Sequence, residues 1–89
     1  MIDTTNADRA EWALHALTGF VEATRVDTAR DAIADLMTNL LHLARARGLD
    51  EQLLVQQAIG AMAEELVEDM EGDMTTVQAR FQKLFPDDS

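Results

Sequence analysis

Cysteine is absent from these 89 residues, which excludes disulfide staples, thiolate zinc sites and cysteine nucleophiles. Tyrosine is absent too, and tryptophan and proline occur once each, as Trp12 and Pro86. Aromatic residues make up only 4% of the chain, too few for the side chains a sheet prefers. Serine appears only as Ser89, and no Thr has a neighbouring His–acid pair, so no nucleophile constellation can be assembled. The glycines, at 19, 48, 60 and 72, are too far apart for a phosphate loop. No apolar run approaches the roughly 18 residues of a spanning helix. The first residues lack the basic-then-apolar character of a signal peptide, so the expected setting is cytoplasmic, with no membrane partner. Bases are scarce: seven against 17 acids, a net charge of -10. That balance excludes direct nucleic-acid binding, which needs a positive footprint.

What remains is 47% apolar residues, mostly Ala, Leu and Met. These are strong helix formers, and the apolar fraction is too high for an acidic disordered chain. The expected fold is all-α, a single domain over 1–89. It is an antiparallel bundle of three long helices and one short C-terminal helix, at about 6–24, 28–47, 51–71 and 74–85. In the first, Ala10, Ala13, Leu14, Leu17, Phe20, Val21 and Thr24 recur at helical spacing. Thr5 with Asp8 forms a capping start. Asp27 is the expected cap of the second helix. Its apolar residues, Ala29, Ala32, Ile33, Leu36, Met37, Leu40, Leu41, Leu43 and Ala44, cover about half its circumference at roughly 100° per residue. So broad a strip suits a helix touching two neighbours, or one neighbour and another subunit. Together with the small size of the chain, it implies a homodimer.

The stretch Arg45-Ala46-Arg47-Gly48-Leu49-Asp50 reads as a stop followed at once by a start. The arginines suit a helix C-terminus, and Gly48 suits the left-handed position of a Schellman motif. Asp50 suits the next N-cap, with Leu49 and Leu54 as a staple. In the third helix Val55, Ile59, Met62, Leu66 and Met70 form the expected buried line. Gly60 is read as a point of close approach to another helix. Gly72 marks the stop and Asp73 the cap of the last helix, which carries Met74, Val77, Phe81, Leu84 and Phe85; a third helix continuing through Gly72 is the alternative.

The charge is localised. Residues 1–26 carry net -2, residues 27–49 net 0, residues 50–72 net -7 and residues 73–89 net -1. No Lys or Arg occurs between Gly48 and Ala79. Acids near a helix C-terminus oppose its dipole, so local stability does not explain Glu64, Glu65, Glu68, Asp69 and Glu71. They read as a solvated face, or as a surface for a basic protein partner, including one that otherwise binds nucleic acid. Arg80 and Lys83 are the bases placed to neutralise part of it. Seven acids over 23 residues, or about 34 Å of helix, fall well below the duplex density of one charge per about 1.7 Å. Trp12, off the main stripe of its helix, either covers the edge of the core or anchors a self-association or partner surface.

Two resemblances bear on function. The run Ala34-Asp35-Leu36-Met37-Thr38-Asn39-Leu40-Leu41-His42-Leu43-Ala44-Arg45-Ala46-Arg47-Gly48-Leu49-Asp50 is similar to a pattern in short acidic helical proteins of bacterial mobile elements. The likeness spans about residues 29–66, with Asn39 where an acid is common. It implies a mobile-element context but no established activity. Glu64-Glu65-Leu66-Val67-Glu68 resembles the EExxE half of the signature of MazG-like helical pyrophosphohydrolases, in which paired glutamates hold magnesium against a triphosphate. The second half, ExxD, has no counterpart here, because Glu71 is the last glutamate.

The expected function is therefore a small acidic helical interaction protein, without cofactor or catalytic residues. The alternative is a metal-dependent hydrolase of the MazG-like type. Glu11, His15, Asp35 and His42 are the candidate metal ligands should the polar faces of the first two helices meet. Otherwise the histidines are surface residues.

Overall fold

The computed structural model describes residues 4–67 and 71–86. Within them the chain is an all-helical bundle of three long helices and a short fourth: α1, Asn6–Thr24; α2, Ala29–Ala46; α3, Glu51–Val67; and α4, Thr75–Leu84. No described helix is long and apolar enough to cross a membrane.

The local signals act much as their chemistry dictates. The Thr5 hydroxyl accepts from the Asp8 amide at 3.1 Å, and the Asp8 carboxylate accepts from the Thr5 amide at 3.0 Å. This closes the reciprocal box that starts α1. At the end of α2, Gly48 has φ +77°. The Leu49 amide donates to the Ala44 carbonyl at 2.9 Å, and the Gly48 amide to the Arg45 carbonyl at 3.0 Å. That pair of bonds is the Schellman motif. Asp50 Oδ1 then accepts from the Gln52 and Leu53 amides, at 3.1 and 3.2 Å, so only residues 47–50 separate the end of α2 from the start of α3.

Three boundaries differ from expectation, at the start of α2, the end of α3 and the start of α4. Thr28, not Asp27, caps α2, because its extended backbone places the hydroxyl 3.3 Å from the Asp31 amide. Helix α1 ends at Thr24 as expected, with Arg25 following in the left-handed conformation, φ 63°, a position usually given to glycine. Helix α3 is described only as far as Val67, and Glu71 lies outside any helix. The chain at 71–74 is irregular, so α3 does not run through Gly72 into α4. Met74 occupies the N-cap of α4 without a side-chain cap, while Asp73 Oδ1 accepts from the Thr75 amide at 2.9 Å. Hydrogen bonds from the Thr75 side chain, and then from its backbone, hold the Asp73 carboxyl below the ordinary carboxylate range.

The core is small. Leu14 and Leu17 of α1, Ala32 of α2 and Phe85 just beyond α4 are buried together. Phe20, Val21, Val26, Leu36, Phe81 and Leu84 are packed around them. Ala32 is completely enclosed, where its lack of a larger side chain suits a close approach of α1 and α2. The Phe81 and Phe85 rings lie 5.2 Å apart at a 45° tilt, a favourable aromatic geometry.

Helix α3 does not share in this core. None of its described residues is buried, which overturns the expectation that Val55, Ile59, Met62 and Leu66 form an interior line. The expected close approach at Gly60 is also absent, since a Cβ there would meet nothing within 4 Å. Helix α3 is tied to the rest of the chain near its two ends. At the near end it joins α2 through the Gly48 turn. At the far end Arg9 Nε meets Glu65 Oε2 at 2.9 Å, and the Ala7 amide donates to the Glu71 carbonyl at 2.8 Å. Between those ends the 17 helical residues, spanning about 25 Å, touch α2 and leave Leu54 only partly covered, and none is buried.

Candidate functional site

The hollows between these helices are largely apolar. Between α1, α2 and α4 lies a recess of about 350 Å³, lined by Ala10, Ala13, Leu14, Leu17, Ile33, Leu36, Met37, Leu40, Val77 and Phe81. Met37 and Leu40 also belong to a second recess of about 330 Å³ between α2 and α3, completed by Leu41, Leu54, Val55, Ala58 and Ile59. A third hollow, about 440 Å³, shares Ala10 and Ala13 with the first and reaches Met62, Leu66 and Met74. Through these shared residues the three adjoin as one trough, the first between α1, α2 and α4 and the other two reaching α3. The first two carry no charged side chain at all, and the third is bordered by Arg9, Glu65 and Glu71.

Two lines of exposed side chains edge the trough. On α2, Ile33, Met37 and Leu40 follow one another at steps of four and three residues. On α3, Val55, Ile59, Met62 and Leu66 follow at steps of four, three and four. Met37 is 60% exposed, Ile59 66% and Met62 61%, and the others are each more than a third exposed. Alternating three- and four-residue steps make the seam of paired helices. A face of this extent is unusual on a monomeric surface.

The amount of open surface is unusual as well. The accessible surface is 7088 Å², about 1,900 Å² more than the roughly 5,200 Å² expected of a folded chain of this mass. The radius of gyration is 14.4 Å, against about 12 Å for a compact chain of this length.

The acidic residues are dispersed by this arrangement. Glu65 turns inward to Arg9, and Glu71 Oε1 accepts from Asn6 Nδ2 at 3.1 Å. Glu64 stays exposed, while Glu68 and Asp69 lie outside the described residues. Arg80 neutralises a different acid from those expected: its Nη1 is 2.9 Å from Glu11 Oε1, joining α4 to α1. The side chains of these ion pairs are about a third exposed or more, and pairs so open contribute less than about 1 kcal/mol. The clasp at the end of α3 is accordingly weak.

The candidate metal ligands are not assembled. Glu11 and His15 share a shallow depression on α1 and α4, but Arg80 and Lys83 line it too, and two cations oppose a third. Asp35 and His42 are exposed on α2 and take no part in that depression. Among the described residues, no three His, Asp or Glu side chains lie close enough to hold one ion. In the EExxE segment Glu64 and Glu65 diverge, one to solvent and one to α1. Trp12 is 65% exposed and lies across α1 from the trough, with Ala16, Gly19 and Ala23 recurring on the same side of the helix.

Comparison with known protein families, curated proteins and solved structures finds no match.

Sequence reasoning found the apolar residues of α2 and α3 but assigned those of α3 to the interior. The clue to their exposure was the breadth of the apolar strip on α2. It exceeds what contact with α1 alone covers.

Proposed function

We propose that this chain is a small helical interaction protein, without catalytic activity, that binds a protein partner through the apolar trough between α2 and α3. One observation carries the reading: a 17-residue helix with several large apolar side chains on one side buries none of them. A helix of that length is only marginally stable in water without packing, so α3 needs a covering surface to persist. The first two recesses carry none of the net charge of -10, which serves solubility and the exclusion of unsuitable partners. A basic partner held by the acids alone is less well supported, because Glu65 and Glu71 already have partners within the chain.

A photo-crosslinking residue tests this in cells. Placed at Ile59 or Met37 it should give a discrete protein adduct, whereas at Gln57, on the opposite side of α3, it should give none. Equal labelling at all three positions, or none at any, would exclude the trough as a binding surface.

A further inference from the structure

The occupant of the trough can be specified, and the inference rests on the reading just given. We infer that it is a second copy of this chain, and that α2 and α3 of the two copies together enclose one core.

Area is the first reason. Stable homodimers bury at least about 1,000 Å² on each subunit. The roughly 1,900 Å² that this chain exposes beyond the expectation for its mass is of that order. A short peptide or a single foreign helix would leave much of it in water.

Self-complementarity is the second. A two-fold contact requires one surface that both offers and accepts the same shape. Here the chain carries a protruding apolar line, with Ile59 and Met62 at its centre, and a recess floored by Met37 and Leu40. Both lines advance by the same alternation of four and three residues, which suits them to a common bundle with helices close to antiparallel.

Charge is the third. The recesses at Ile33–Leu40 and Leu54–Ile59 contain no charged residue, so two copies can meet there without burying an acid. Their combined charge of twice -10 remains outside, where salt screens it. A basic partner would find no carboxylate in these recesses to pair with.

Sedimentation equilibrium of the purified full chain, across a roughly hundredfold range of concentration and at low and moderate salt, decides the matter. The expected mass is twice 9.9 kDa, with association unchanged or strengthened by salt. Met37→Glu should weaken association roughly a hundredfold or more, because symmetry places the new charge in the interface twice. Gln57→Glu, on the outer side of α3, should leave it unchanged. A single-chain mass for the wild type at every concentration would overturn the inference. So would equal weakening by both variants, or a dimer that dissociates as salt rises. If the isolated chain is monomeric while the residue-59 probe still captures a heavier protein in cells, only the second copy is excluded and the broader reading stands.

Discussion

If a second copy covers α3, replacing Ile59 with Asp should leave the protein monomeric and unwind α3, while α1, α2 and α4 keep their structure. Ile59 is two-thirds exposed in the single chain, so within one copy the substitution removes little packing. Its effect comes almost entirely from what covers that side chain. Burial of an isoleucine contributes about 1.5–3 kcal/mol, and two-fold symmetry counts the loss twice. The dissociation constant should rise by roughly two to four orders of magnitude, before any cost of burying the carboxylates. Sedimentation gives the mass, and backbone amide shifts report which helices survive. An unchanged dimer with α3 intact would show that this face is simply wet.

The second large effect belongs to the core. Phe85→Ala should lower stability by about 3–5 kcal/mol. Phe85 is 3% exposed, packs on the Phe81 ring and closes the cluster of Leu14, Leu17 and Ala32. A chain of this length has a total of only about 4–13 kcal/mol. At about 4–8 °C per kcal/mol, the melting temperature should fall by about 12 °C or more. Trp12→Ala is the comparison: a larger side chain is removed, but from a site 65% exposed, and a change within about 0.5 kcal/mol is expected. Thermal melts at matched concentration separate the two. Similar losses for both would mean that Trp12 is covered, and the face of α1 would then replace the trough as the candidate surface.

How much of this was legible in the sequence follows from the range of each interaction. The Thr5–Asp8 box and the Arg45–Asp50 turn are closed by bonds between residues at most five apart, so the residues that form them stand side by side. The Thr28 cap was misplaced by one position because Asp27 has the same chemistry, and only the backbone conformation decides between them. Helical spacing marked the apolar side of α3 correctly, but periodicity reports that a face is apolar and not what lies against it. The acids posed the same difficulty. Nothing near Glu65 in the chain identifies Arg9 as its partner, since 56 residues separate them. The charge arithmetic located the acidic segment and could not foresee that part of it is the clasp holding the far end of α3.

Amide hydrogen exchange of residues 51–67, followed as a function of protein concentration, gives the most direct answer to what covers α3. If a second copy does so, protection along Val55, Ile59, Met62 and Leu66 should rise steeply with concentration, and the amides of Leu14 and Leu17 should respond far less. Protection of α3 that is independent of concentration, and as strong as that of α1, would mean that the helix stands without a partner; the trough would then have no claim to be an interface.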